Sequence, residues 1–402
     1  MSKNNIISAL SHPFPSLTGG ARGGSILVLI LLLFASCSDE PGTGMEATRE
    51  LRLVMGTQGT TDVTDITRAL PANYRTYSEH YGASMPSDAQ IQGFLTTASG
   101  SEPIQAIFPF IDNEGRRSWT SHMKIDNPGA DYYLYGFMPR EAASDFSILP
   151  YNSSYSNGAQ LTISGLNVVS GDDPCVIVGV KGYAPANATD PLPAITDDVL
   201  AMNTRLGQFG LRVDQDVNYA YLLVNHLYSN LNFSMKIEAR YSELRTIKVK
   251  KMELKASSIS SDKIDMALTL AANTSATDPL TINNTTDTGS ATTASAQFFP
   301  NSDVTEVTLS PTTASVFRSY FAPGKCNEFT LVTTYDVYDR KNNLIRENET
   351  AENTFRLNAL KTEFTSNPLK AGEAFTINIE VQPTYLYVLS DPDLNDPTFK
   401  FN

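Results

Sequence analysis

The chain of 402 residues carries 43 acidic and 30 basic side chains, which gives a formal net charge of −13. This balance argues against a nucleic-acid-binding protein, which needs a basic surface to meet phosphates. The length suffices for two domains of ordinary size.

The first predicted element is the apolar run ILVLILLLF at residues 26–34. It is too short to span a bilayer as a helix, but it has the length of the apolar region of a signal peptide. Lys3 and Arg22 precede this run, which ends in Phe34-Ala35-Ser36-Cys37. These last four residues resemble the lipobox of bacterial lipoproteins. We therefore expect residues 1–36 to be a signal peptide and Cys37 to receive lipid and become the first residue.

Residues 50–57 form the next predicted element, an isolated β-strand. Leu51, Leu53 and Met55 alternate with polar residues and would share one face. A polar stretch follows and leads to Arg68 and Ala69. An arginine in an extended, exposed segment is a natural target for a trypsin-like protease, although most such arginines are only surface charge.

The body of the chain has a hydrophobic period of two, which predicts antiparallel sheets and an all-β fold with few short helices. A short helix is predicted at Tyr219–Leu231 and a second near residues 197–203. The Thr-, Ser- and Asn-rich residues 271–296 predict an exposed connection. The predicted strands of the body are at 161–163, 175–180, 233–237, 247–254, 329–337 and 375–381.

A domain boundary is expected near residues 206–216, which divides the body into residues 69–210 and 211–402. Each part has roughly the size of one β-sandwich domain. Cys175 lies in the first part and Cys326 in the second. These two cysteines could pair in an oxidising compartment, or they could be two separate buried thiols; the sequence leaves both open.

The C-terminal segment, residues 383–402, contains a last pair of predicted strands. Tyr385, Tyr387 and Leu389 share one face of the first of them. A chain that ends on aromatic, strand-forming residues leaves an apolar edge that must be covered. This segment can pair within its own sheet or insert into the sheet of another subunit.

Several motifs, in their order along the chain, resemble the Bacteroidetes fimbrillin family, whose members are lipoprotein precursors of type V pili. The resemblance covers nearly the whole chain and depends on the order of the motifs, since each is loose alone. The motifs are the lipobox at Cys37, the strand at 50–57, Arg68-Ala69, Trp119 followed by DYYLYGFMP at 131–139, the segments 197–202 and 226–233, and the tail PTYLYVLSDPDLNDPTFKFN.

The resemblance implies two transthyretin-like β-sandwich domains in tandem and assembly by strand exchange. A lipidated precursor would reach the outer membrane, and an arginine-specific surface protease would cut after Arg68. The propeptide 37–68 would leave with its first strand, in which Leu51, Leu53 and Met55 fill a groove. Tyr385, Tyr387 and Leu389 of a neighbouring subunit would take their place and extend an extracellular fimbrium, head to tail.

Other classes of function remain open at this point. The family also has tip adhesins and anchor subunits, and a surface glycan-binding lipoprotein would likewise be β-rich and acidic. An enzyme has little support, because HExxH, GxSxG and glycine-rich phosphate-loop patterns are absent. His226 is interpreted as a packed histidine, and Asp172-Asp173 as turn or cap residues. No cofactor or metal site is expected.

Overall fold

The computed structural model describes residues 48–58, 61–62, 74–76, 90–97, 104–113, 116–124, 131–148, 158–183, 208–210, 217–271, 280–300, 304–312 and 315–382. Short strands dominate these residues, as the period-two pattern predicts. The first twelve strands are β1 Thr48–Gln58, β2 Thr61–Asp62, β3 Tyr74–Thr76, β4 Ile91–Thr97, β5 Ile104–Phe108, β6 Phe110–Asn113, β7 Arg116–Lys124, β8 Asp131–Met138, β9 Asp145–Ile148, β10 Gly158–Asn167, β11 Val169–Ser170 and β12 Cys175–Tyr183.

The remaining strands are β13 Gln208–Gly210, β14 Val217–His226, β15 Ser229–Ile237, β16 Thr246–Ser257, β17 Lys263–Ala271, β18 Leu280–Asp287, β19 Thr293–Phe299, β20 Val307–Thr308, β21 Ser315–Phe321, β22 Glu328–Tyr338, β23 Leu344–Arg356 and β24 Glu373–Val381. Two one-turn helices, α1 Ala239–Ser242 and α2 Leu357–Leu360, and two 3₁₀ turns, Arg140–Ala142 and Thr362–Thr365, complete the described elements.

The all-β fold class and the seven predicted strands, from 50–57 to 375–381, are confirmed. Within the described part of the chain, no helix has the length and apolar character needed to cross a membrane.

The first sheet has the strand order β5-β4-β8-β12-β14-β1-β7-β6, with β13 beside β8 and β3 beside β1. Its two ends belong to one stretch of chain, because only Pro109 separates β5 from β6. Phe108 pairs with Ile91 of β4, whereas Phe110 pairs with Trp119 of β7. The Thr120 N–H donates to the Pro109 carbonyl at 3.1 Å. The first sheet therefore closes on itself.

The inner face of this closed sheet holds a hydrophobic core of its own. Large aromatic and aliphatic side chains alternate with outward residues along each strand and are buried. The inner cluster consists of Leu51, Leu53, Ile91, Phe108, Trp119, Tyr132, Leu134, Met138, Cys175, Ile177, Val180, Ala220, Leu222 and Val224.

The helix predicted at Tyr219–Leu231 is wrong, because β14 and the start of β15 occupy this segment. Ala220, Leu222 and Val224 point inward at every second position and are fully buried. β14 lies between β12 and β1 in the middle of the sheet. The sequence of a central strand is often a continuous run of apolar residues. Periodicity alone cannot distinguish such a run from a buried helix.

The second sheet, with order β18-β17-β10-β9, packs on the outer face of the first and completes a β-sandwich. Tyr135 and Phe137 of β8 join a core with Leu161 of β10 and Leu268 of β17. The rings of Phe137 and Phe146 stack at a centroid distance of 5.6 Å. Burial of such apolar side chains is the main stabilising contribution, at about 1.5–3 kcal/mol for each large one.

The third sheet, β11-β21-β15-β24-β2, faces the fourth, β19-β16-β22-β23 with β20 beside β16. Phe233 of the third sheet stacks on Phe298 of the fourth at 5.5 Å. Phe321 meets Phe329 edge-on at 4.9 Å. These two sheets form a second sandwich.

The chain does not complete the sandwiches one after the other. β14, β17 and β18 follow residue 211 and yet belong to the first two sheets, while β2 belongs to the third. The segment 271–296, predicted as a connection, contains β18 and the start of β19, so that part of the prediction is wrong. β18 is an edge strand whose Thr and Asn side chains are mostly exposed, which is why its composition resembles a loop.

Candidate functional site at the first strand

The strand β1 lies inside the closed first sheet, with partners on both edges. Glu50–Thr57 pair in parallel with Val217–Val224 of β14. On the other edge, Thr48–Leu53 pair with β7 and Gly56–Gln58 pair with β3, both antiparallel. Removal of β1 would therefore leave two facing strands, β14 and β7, with unpaired main-chain groups.

The side chains of Leu51 and Leu53 are both fully buried in the inner cluster. Leu53 lies opposite Trp119 on β7 and opposite Ala220 on β14. Met55, the third predicted residue, belongs to the same strand and pairs with Leu222. The vacancy left by β1 would therefore be apolar and would accept side chains at every second residue.

Several predicted site residues lie outside the described residues. They are the signal peptide 1–36, Cys37, Arg68, Ala69 and the tail residues Tyr385, Tyr387 and Leu389. The helix predicted near residues 197–203 also lies outside the described residues. β24 ends at Val381, immediately before the predicted tail.

Cys175 and Cys326 are both free and buried, so the disulfide that the sequence left open is not formed in this structure. Cys175 belongs to the inner cluster of the first sheet, whereas Cys326 belongs to the separate core shared by the other sheets. Burial raises the pKa of the Cys326 thiol to about 12. Burial of this kind favours the neutral thiol over the reactive thiolate.

A cluster that the sequence analysis missed joins β12 to β14. His226 Nδ1 lies 2.6 Å from Asp173 Oδ2 and 3.5 Å from Cys175 Sγ, and the Cys175 thiol donates to the Asp173 carbonyl at 3.4 Å. The exposed fractions of these residues are 1% for Asp173, 0% for Cys175 and 5% for His226. Asp173, interpreted from its sequence as a turn or cap residue, lies in the loop before β12, where it is the buried partner of His226.

The donor atoms of this cluster lie within 4.8 Å of one another and are of the types that bind Zn²⁺. The short Asp173–His226 contact already satisfies the imidazole nitrogen, however. A nucleophile–base–acid relay does not fit either, since such a relay uses the two ring nitrogens separately. Burial, and secondarily the charge of Asp173, raises the pKa of Cys175. The geometry fits a contact that holds β12 to β14.

A polar cavity of about 210 Å³ lies beside β4 and β9. The Arg140 Nε donates to the Gln92 Oε1 at 3.2 Å. Gln92 is 5% exposed, and its Nε2 has no hydrogen-bond partner within the described part of the chain. The other polar residues of the lining are Gln105, Glu141, Ser144 and Asp145, and Ala143 and two phenylalanine side chains add apolar surface. Planar polar groups beside aromatic rings suit a small polyhydroxylated ligand.

No protein-family model matches the chain, and no curated protein matches it. Similar folds occur among solved structures. A candidate cell adhesion protein of Bacteroides fragilis is 12% identical, with a TM-score of 0.40, and the match covers 84% of this chain and 94% of that one. A fimbrial protein of Bacteroides vulgatus is also 12% identical, with a TM-score of 0.29 and coverages of 82% and 95%.

The fimbrial anchor protein Mfa2 of Porphyromonas gingivalis is 9% identical, with a TM-score of 0.26 and coverages of 83% and 90%. These three solved structures to which the chain is similar are thus fimbrial and candidate cell adhesion proteins of Bacteroidetes.

Proposed function

We propose that the chain is a structural subunit of a type V fimbria. It is made as a precursor that is lipidated at Cys37 and held at the outer membrane, and it is cleaved after Arg68. It then joins an extracellular filament by strand exchange. The observation that carries the proposal is the position of β1, an interior strand of a closed sheet that comes from the predicted propeptide. The proposal assigns the chain no catalytic role.

Cleavage after Arg68 would leave β1 bound only by non-covalent contacts. Those contacts are the main-chain hydrogen bonds to β14 and β7 and the burial of Leu51 and Leu53. Each buried leucine contributes about 1.5–3 kcal/mol. β1 would therefore leave only when another strand replaces it.

The tail of a neighbouring subunit has the spacing that the vacancy needs. Tyr385, Tyr387 and Leu389 alternate with other residues in the same way as Leu51, Leu53 and Met55. Main-chain hydrogen bonds to β14 and β7 would supply affinity, and the alternate side chains would set the register. Because donor and acceptor are different surfaces, the contact does not close on itself and the subunits form a filament.

The substitution Arg68→Ala tests the processing step in cells that express the full chain. We expect a full-length lipidated precursor and no filament by electron microscopy. Arg346→Ala, an exposed arginine on β23, is the matched control and should assemble normally. Normal filaments from Arg68→Ala would contradict this processing site.

Deletion of residues 383–402 tests the donor segment separately. The shortened subunit should be cleaved, as judged by an N-terminus at Ala69, and should not extend a filament. A cleaved subunit that polymerises as efficiently as the full chain would overturn the donor assignment. An acylated Cys37 retained on a stable monomer would instead favour an anchor subunit.

The polar cavity favours a second candidate function, a glycan-binding surface lipoprotein or a tip adhesin. Arg140 would hold a ligand hydroxyl or carboxylate there, because Gln92 already orients its guanidinium. A glycan array with the purified protein tests this function, and Arg140→Ala should abolish any signal from this cavity. An array with no signal would exclude the glycans displayed on it.

A further inference from the structure

A hairpin tip, residues 339–345, joins β22 to β23 and includes the first two residues of β23. The Asp339 carboxylate accepts hydrogen bonds from the Lys341 and Asn343 N–H groups, both at 2.8 Å. Asn342 has a φ of 61°, in the left-handed region that asparagine adopts more readily than most residues. The tip is therefore held in one conformation by its own contacts.

Two large apolar side chains are exposed at consecutive positions of this tip. Leu344 is 45% exposed and Ile345 is 47% exposed. Consecutive residues of a strand point to opposite faces, so the tip presents apolar surface on both of its sides. Arg340 and Lys341 are also exposed, in a chain whose formal net charge is −13. Apolar and basic side chains together suit contact with the surface of an acidic protein.

The tip lies at the end of the second sandwich where β24 ends. The Glu238 N–H donates to the carbonyl of Val381, the last residue of β24, at 2.9 Å. α1 follows Glu238, and the Glu243 carbonyl beyond it accepts a hydrogen bond from Arg340 Nε at 2.7 Å. Five residues at helical rise span about 8 Å. One helical turn therefore separates the tip from the end of β24, after which the tail 383–402 begins.

The length of the connection to the tail brings a neighbouring subunit to this end. Under the proposed function, Tyr385 lies in the first sheet of the neighbour. Tyr385 follows Val381 by four residues, and four residues span at most about 14 Å when fully extended. Whatever the conformation of this connection, the surface of the neighbour must lie close to Val381 and to the tip beside it.

We propose, on the basis of the proposed function, that the hairpin tip docks on the neighbouring copy of this chain that holds its tail. Leu344 and Ile345 are removed from water there, and Lys341 meets an acidic surface. Strand exchange tethers the two copies at an effective concentration on the order of millimolar, so a contact as small as the tip can form. The tip thereby fixes the angle between successive subunits and stiffens the filament.

The substitution L344D/I345D tests the stiffening role in cells that express the full chain. Its filaments should form by the same strand exchange but should bend more, because the second contact is lost. Electron microscopy of the filaments gives their persistence length. L360D is the matched control, since Leu360 is 42% exposed on α2, which follows the far end of β23. Equal persistence lengths in both variants and the wild type would overturn this role.

Photo-crosslinking in the same cells tests which molecule the tip contacts. The photoreactive amino acid p-benzoylphenylalanine replaces Leu344, and in the control it replaces Leu360. We expect irradiated filaments with the group at position 344 to give a ladder of covalent multimers on denaturing gels, with the partner peptide mapped to a second copy. The control should give no ladder. If the first variant does not assemble, the group replaces Ile345 instead.

Filaments without a ladder, or equal ladders from both positions, would overturn this inference and leave the proposed function intact. A cross-link from position 344 to the tail of the same chain, or to a different protein, would also overturn it. If the wild-type chain forms no filament at all, the proposed function fails and the inference falls with it.

Discussion

At the scale of single residues, the contact between His226 and Asp173 is a buried polar interaction within the first sheet. Both side chains are almost completely buried, and the contact joins the loop before β12 to the last residue of β14. Removing one partner of a buried polar contact leaves the other group desolvated and without that partner, which costs more than an exposed pair contributes.

We therefore expect His226→Ala to lower the free energy of unfolding by about 1–3 kcal/mol. Urea denaturation of the purified protein measures this change. His122→Ala is the control, because His122 is exposed on β7 and its loss should change stability by about 0.5 kcal/mol or less. Equal effects of the two substitutions would show that the buried contact contributes little.

Asp336 gives the protein a predictable dependence on pH. Burial of its carboxyl opposes ionisation, but the Asn348 N–H at 2.7 Å and the Lys250 ammonium at 3.1 Å outweigh burial and hold the pKa of Asp336 below its usual value. A carboxyl with a lowered pKa stabilises the fold above its unfolded pKa, and this contribution disappears as the pH falls through the folded pKa.

Asp336→Asn should therefore cost about 1–2 kcal/mol at pH 7 and less at pH 3, where the native carboxyl is increasingly protonated. Urea unfolding of both proteins at the two pH values measures the difference. Glu347→Gln, an exposed substitution on β23, should show no such change. A stability difference that is the same at both pH values would contradict the assignment.

At the scale of elements, β1 combines a polar sequence context with an interior position in the first sheet and two fully buried leucines. Its two leucines were predictable from the alternation at residues 50–57, since strands with one buried face alternate in this way. Its neighbours were not predictable, because β14 and β7 come from distant parts of the chain. Similarly, the composition of residues 271–296 predicts that their side chains are exposed to solvent, but it cannot distinguish an edge strand from a loop.

Leu53→Ala should destabilise the precursor by about 2–5 kcal/mol, because it creates a cavity between Trp119 and Ala220. Thermal or urea unfolding measures the loss. Leu344→Ala makes the same chemical change at a side chain on the edge strand β23, where Leu344 is 45% exposed, and should have little effect. Comparable losses in the two variants would mean that β1 is not firmly held.

At the scale of the whole molecule, the strands β1 and β2, which belong to the proposed propeptide, contribute to the two sandwiches. A cut after Arg68 in detergent-solubilised precursor should therefore leave residues 37–68 bound to residues 69–402. Gel filtration in native buffer should recover the two fragments together, and denaturant should separate them.

A synthetic peptide of residues 383–402 should accelerate release of the propeptide from the cut precursor, because it can occupy the vacancy of β1. A scrambled peptide of the same composition is the control, and mass spectrometry of the gel-filtration fractions identifies which fragment is bound. Release at equal rates with both peptides would argue against strand replacement by the tail.

The sequence by itself determined the secondary-structure class, the acidic character and the positions of seven strands, because side-chain alternation is a local property of the chain. It also determined that Leu51 and Leu53 share a face. Only the tertiary structure decided that the first sheet closes through the stretch around Pro109, that β14 is a strand, and that Asp173 meets His226 across 53 residues. These features depend on pairing between distant segments, and local periodicity contains no information about which segments pair.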